Sequence, residues 1–190
     1  LKNLTGNCKD RRAVIFFELA RTGCYQLDLW KEKKLADRTF RHRPRVAVIG
    51  GNKPDPESLK MAYGVGRLLA ERGAVLVCGG LGGVMEEAAR GCREAGGLSL
   101  GILPGQEPGE ANDYIDIPVA TGIGYNRNSM VVLNAAAVIA IDGEYGTLSE
   151  IAFARIFGKK IIGLNTWSIP GVIPASSPEE AVTLALEGLE

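Results

Sequence analysis

The chain has 190 residues, 46% hydrophobic and 23% charged, with 22 basic side chains balancing 22 acidic ones. That length suits one domain with a sizeable core, and the balanced charge speaks against a chain built to coat nucleic acid. Four cysteines without Cys-x-x-Cys spacing and a single histidine, His42, speak against a zinc site and a disulfide framework, so no metal is expected.

The charge is uneven. Residues 1–44 hold 11 Lys/Arg against 5 Asp/Glu, and residues 45–190 hold 11 against 17. Acidic residues are interspersed in the basic segment, so it reads as a solvated extension or an extra structural element rather than a nucleic-acid arm. Ala13–Ala20 fits a strand or a short helix, and Asp28–Asp37 a charged helix. The apolar run Ala13–Phe17 is too short to cross a bilayer, and no small-residue cleavage site follows it. The expected compartment is therefore the cytoplasm, with no membrane or nucleic-acid partner. Pro44 disfavours helix at the residue before it and marks a junction. The domain expected to bind ligand is 45–190, with 1–44 an extension of unassigned role.

From Arg45 a regular alternation begins. Val46–Ile49 is a continuously apolar strand ending in Gly50-Gly51, as in strands buried on both faces. Asp55–Arg72 is an amphipathic helix stopped by Gly73. Ala74–Val77 is a second strand, Gly82–Ala95 a helix and Leu98–Leu103 a third strand. Residues 104–118, broken by Pro104, Pro108 and Pro118, read as loop. Gly124–Ala136 reads as helix, Ala137–Ile141 as strand, Thr147–Phe157 as helix and Lys160–Leu164 as strand. Pro178 opens a last helix through Gly188, at a first-turn position where proline is tolerated. Strands alternating with helices predict an α/β, Rossmann-like open parallel sheet with helices on both faces, ligands lying beyond the carboxyl ends of the strands.

Twenty-three of the 25 glycines lie after residue 44, and two clusters of them stand where such ligands sit. The first, Cys78-Gly79-Gly80-Leu81-Gly82-Gly83-Val84-Met85, runs from a strand into a helix N-terminus, where unpaired N–H groups and the helix dipole favour an anion. The second is Asp142-Gly143-Glu144-Tyr145-Gly146-Thr147-Leu148-Ser149-Glu150. Its Thr147-x-x-Glu150 spacing fits a capping box, with Glu150 holding the Thr147 N–H. It equally fits Thr147 presenting donors to a phosphate while Glu150 faces a sugar. Arg127, in Gly124-Tyr125-Asn126-Arg127-Asn128, stands where an arginine opposes a helix dipole. It is either a surface residue or one facing an anionic ligand or Glu150. Candidate phosphate contacts are Gly51, Gly79, Gly80, Gly82, Gly83, Val84 and Met85, with Gly143, Tyr145, Gly146 and Thr147 from the second loop.

Other cofactor motifs are absent. No Gly-x-Gly-x-x-Gly follows the first strand, where the chain reads Gly50-Gly51-Asn52-Lys53-Pro54, and there is no P-loop sequence. Gly64-Val65-Gly66 lies inside a helix and lacks the third glycine.

Gly79–Met85 together with Gly146-Thr147-Leu148-Ser149-Glu150 resembles the superfamily of molybdenum-cofactor carrier proteins and LOG-type nucleoside-monophosphate phosphoribohydrolases, whose members are also labelled lysine decarboxylases. The resemblance covers about residues 45–190. Gly101-Ile102-Leu103-Pro104-Gly105 and Ile151-Ala152 after Glu150 are similar to the carrier branch. Phosphoribohydrolases carry Pro-Gly-Gly-x-Gly-Thr-x-x-Glu, where this chain has Asp142 and Glu144 in place of the proline and second glycine. They place lysine after the arginine, where this chain has Asn128. The resemblance implies a binding or carrier protein for a phosphate-bearing small molecule, a nucleotide or a molybdopterin-type cofactor. No cofactor is required, the molybdenum cofactor would be bound cargo, and a homodimer or higher oligomer is expected. The alternative it implies is a phosphoribohydrolase cleaving the N-glycosidic bond of a nucleoside 5′-monophosphate, with Arg127 and Glu150 as the catalytic pair. Lysine decarboxylation would need a Schiff-base lysine. Beyond residue 44 the lysines are Lys53, Lys60, Lys159 and Lys160, none in either loop.

Overall fold

Val46, Ala47, Val48 and Ile49 are each at most 1% exposed, so the strand they form is covered on both faces. In the computed structural model, which describes residues 42–189, it is β1 (Arg45–Gly50) of a seven-stranded sheet. The chain divides between His42 and Arg43, and the expectations for the Ala13–Ala20 and Asp28–Asp37 segments lie outside the described residues. The other strands are β2 (Val75–Cys78), β3 (Leu98–Leu103), β4 (Ile117–Ala120), β5 (Ala137–Ile141), β6 (Lys160–Leu164) and β7 (Val172–Pro174). Their order is β4-β3-β2-β1-β5-β6-β7, and every pairing is parallel. The expected α/β Rossmann-like sheet is what forms.

Strand alternation sorts the core into two layers. Val46 and Val48 face one layer with α1 (Pro56–Glu71), α2 (Val84–Glu94) and α5 (Pro178–Leu186). Ala47 and Ile49 face the other, with α3 (Asn128–Leu133) and α4 (Tyr145–Ile156). Capping explains where α1 starts: Asp55 accepts from Glu57 N and Ser58 N, both at 2.8 Å, and Pro56 occupies the first turn. A Cβ at Gly66 would strike the Ala88 carbonyl oxygen, so Gly66 serves close packing of α1 on α2.

Three local expectations are corrected. Residues 104–118 were expected to be loop, and β4 begins inside that stretch. β7 lies in a stretch given no element. Both are short edge strands carrying a proline, Pro118 or Pro174, which a sheet tolerates only where one side needs no ladder hydrogen bonds. The helix expected over Gly124–Ala136 is a 3-10 turn at Gly124–Arg127 followed by the shorter α3.

The order reverses direction between β1, which leads to β2, and β5, which leads to β6. A crevice opens at such a switch point, beyond the carboxyl ends of the two strands. Gly50-Gly51-Asn52 leaves β1 there, and residues 142–147 leave β5.

Candidate functional site

At the switch point lies a cleft of about 180 Å³. Its floor is Gly50, Gly51 and Asn52 after β1, and one wall is the first turn of α4 with Glu144, Gly146, Thr147 and Glu150. Tyr125, Arg127 and Asn128 form a second wall, and Leu81 and Met85 a third.

The first turn of α4 faces this cleft uncapped. Glu144 stands at the N-cap with no side-chain capping hydrogen bond, and no acidic residue lies in the first turn. The helical ladder begins with Leu148 N donating to Glu144 O at 3.0 Å, so the amides of Tyr145, Gly146 and Thr147 precede it. A Cβ at Gly146 would meet nothing within 4 Å. The turn therefore presents backbone donors and the positive end of a helix dipole beside open space.

Four polar residues are buried around it: Arg127 at 6% exposure, Asn128 at 3%, Thr147 at 3% and Glu150 at 6%. Arg127 Nη1 pairs with Glu150 Oε1 at 3.4 Å, and Nη2 donates to Gly79 O at 3.3 Å. Nη1 also donates to Asn128 Oδ1 at 2.6 Å. The Nε proton, itself sealed from solvent, has no partner among the described residues, an exception to the rule that buried donors are matched. Burial pushes the Glu150 carboxyl up to about 7, against the pull of Arg127. Burial likewise lowers the Arg127 guanidinium, with Glu150 opposing. Glu150 therefore holds its proton more tightly than a free carboxyl does.

The Thr147–Glu150 capping box does not form. Helix α4 starts at Tyr145, two residues earlier than expected, so Thr147 is its third residue rather than its cap, and Glu150 turns to Arg127 instead. The surface reading of Arg127 also falls, since the residue is buried opposite Glu150.

Of the expected contacts, Gly51, Met85, Gly146 and Thr147 line the cleft with Arg127 and Glu150. Gly79, Gly80, Gly82, Gly83 and Val84 are not among its lining residues, and other groups occupy the space beside the first loop's glycines. A Cβ at Gly79 would meet Arg127 Nη2 and, at 2.6 Å, Met85 Sδ. At Gly80 it would meet Leu103 Cδ2 at 2.7 Å, at Gly82 Asn52 Oδ1 at 3.1 Å, and at Gly83 Gly51 O and Asn52 O. Val84 N donates to Gly51 O at 3.1 Å. Gly143 and Tyr145 flank the cleft without lining it. Tyr145, 81% exposed, has its ring 6.4 Å from that of Trp167. Lining residues not singled out in advance are Gly50, Asn52, Leu81 and Tyr125, of which Tyr125 is 86% exposed. Asn128 had been noted only as a departure from the enzyme pattern. An asparagine in the first turn of a short helix carries no distinctive spacing; the adjacent Arg127 is the one available signal.

Residues 43–187 match the SLOG cluster4 family. The chain is similar to the molybdenum cofactor binding protein from the phototrophic bacterium Rippkaea orientalis, at 37% identity and a TM-score of 0.74, over 78% of this chain and 98% of that one. It is similar to the molybdenum cofactor carrier protein from Chlamydomonas reinhardtii at 31% identity and a TM-score of 0.69, over 77% and 98%. It is also 32% identical to a cytokinin riboside 5′-monophosphate phosphoribohydrolase of Mycobacterium marinum, over 64% of this chain and 71% of that protein. With the family match extending across most of its length, the chain belongs to the SLOG cluster4 family.

Proposed function

We propose that this chain is a binding or carrier protein for a phosphate-bearing small molecule, a nucleotide or a molybdopterin-type cofactor carried as cargo. The observation that carries the reading is the open first turn of α4 at Gly146, facing a cleft that Arg127 also lines. An anion there gains backbone donors, a helix dipole and a guanidinium at low dielectric. The cleft is smaller than the roughly 300 Å³ and upward typical of ligand sites, so it takes the phosphate end while the rest of the ligand extends over the exposed Tyr125. The similarity to a cofactor binding protein and to a carrier protein supports the same reading. Native mass spectrometry of the freshly purified full chain tests it: a retained phosphate-bearing ligand is expected. A bare chain that also fails to take up AMP or molybdopterin would contradict it.

The second reading, a phosphoribohydrolase, is favoured by the buried Arg127–Glu150 pair and by the similarity to the M. marinum enzyme. Glu150 would then stabilise the positive charge that develops on the ribose. Burial favours the neutral form of that carboxyl, and a neutral acid gives an anion a hydrogen bond but stabilises no cation well. Glu144 also adds an acidic side chain to the cleft. Wild-type chain is therefore expected to release little or no adenine from AMP. Robust turnover that disappears in Glu150→Gln would make the enzyme the better reading.

A homodimer or higher oligomer remains part of the proposal. Leu133 at the end of α3 and Ile156 at the end of α4, 58% and 73% exposed, give those helices apolar ends that a second copy would cover. Light scattering returning a monomer mass would remove it.

A further inference from the structure

Asn128 opens α3 and is 3% exposed, yet it carries an amide whose donors and acceptor must be met inside the protein. Its Oδ1 accepts from Arg127 Nη1 at 2.6 Å. Its Nδ2 donates to Ser149 Oγ at 2.8 Å and to Gly146 O at 3.3 Å. Ser149 Oγ donates in turn to Gly146 O at 2.6 Å. Chemistry fixes this orientation, because turning the amide over would set NH₂ against the guanidinium and a carbonyl against Gly146 O. Arg127 Nη1 thus has two acceptors, and the nearer is the neutral amide, with the carboxylate standing off at 3.4 Å. An unrestrained guanidinium beside a buried carboxylate closes to about 2.8 Å.

We infer that Asn128 is a positioning residue that ties the Arg127 guanidinium to the first turn of α4 and holds it off Glu150, leaving its charge for an anionic group bound at that turn. The inference rests on the proposed ligand site for its purpose, while the clamp itself can be tested without ligand. The charged group facing Glu150 is Arg127, and the titratable groups facing Arg127 are Glu150, Cys78 at the end of β2 and Tyr125 in the 3-10 turn. Glu144 lines the same cleft from the start of α4. Aspartate in place of Asn128 would keep the acceptor, lose both donors and set a carboxylate against Gly146 O, so the amide answers a requirement that neither charge nor size alone meets.

The test is carbon-detected NMR of the Glu150 carboxyl in the full chain, identified with E150Q and followed over roughly pH 4 to 9. In N128A the guanidinium is free to close on Glu150, and the titration midpoint is expected to fall by about one unit or more from its wild-type position. AMP affinity is expected to fall about tenfold in the same variant. An unchanged midpoint in N128A overturns the inference, whatever AMP does. Should N128A lose its cooperative thermal transition, S149A decides instead: it removes one of the amide's two anchors, so a smaller downward shift is expected, and none overturns the clamp. Failure of wild-type chain to bind AMP counts against the nucleotide as ligand and leaves the Glu150 midpoint to decide the role of Asn128.

Discussion

The two glycine loops look alike as sequence, each leading from a buried strand into a helix, but they differ in what occupies the space beside each glycine. Around the first loop that space is filled. Met85 and Arg127 pack on Gly79, Leu103 on Gly80, and the Gly51–Asn52 backbone on Gly83, with φ at +75° for Gly80 and +66° for Gly83. Helix α2 then opens with Glu86 and Glu87, so the chain's own carboxylates answer its dipole. In the second loop Thr147 fills the space at Gly143, but nothing lies within 4 Å of a Cβ at Gly146, and the first turn of α4 contains no acid. One loop uses its glycines to bring β1, β2 and the arginine together; the other uses one to leave room. Glycine permits both, and only the neighbours decide which.

The contrast can be broken at either loop. The largest effect is expected at Gly83, where alanine would need positive φ and would strike the backbone of Gly51 and Asn52. Gly83→Ala should cost about 3 kcal/mol of stability in urea unfolding; near-wild-type stability would mean the first loop is not packed as described. Next comes pH. Burial pushes the folded Glu150 carboxyl from an ordinary 4.5 up to about 7, so the native state holds the proton more tightly and stability should fall as pH rises through that window, then level off. Glu150→Gln should flatten that fall. Cys78, under the first loop, is pushed up to about 11 by burial and takes no part there. A pH profile unchanged in Glu150→Gln would contradict the burial of that carboxyl. The smallest effect on the fold is expected at Gly146, whose alanine variant should keep or gain about 0.5 kcal/mol as a helical residue. Its affinity for AMP should nevertheless fall about tenfold through lost room at the turn. Calorimetry and a thermal melt on the same sample separate the two effects.

Legibility followed the same physics. The buried central strands were readable because residues such as Val46–Ile49 and Ala137–Ile141 are continuously apolar, which parallel strands covered on both faces must be. The edge strands β4 and β7 were not, because Pro118 and Pro174 read as breakers unless the sheet order is known. At the site, Arg127 and Glu150 stand out from their loops and from the resemblance, but the dipole argument leaves Arg127 open between the surface and an anion opposite; burial against Glu150 decides it. The boundary of α4 was misread by two residues, since Tyr145 and Gly146 carry no helix-start signal, and that slip created the apparent capping box. Asn128 and Asn52 were missed as site residues because a neutral amide shows its purpose only through its partners.

The central claim is that the anionic end of the ligand sits on the first turn of α4 rather than on the first glycine loop. Backbone amide NMR of the full chain titrated with AMP tests it most directly. The largest shifts should fall on Tyr145, Gly146 and Thr147, with Gly80, Gly82, Gly83 and Val84 nearly unmoved. Largest shifts at residues 80–84, or none at 145–147, would contradict it.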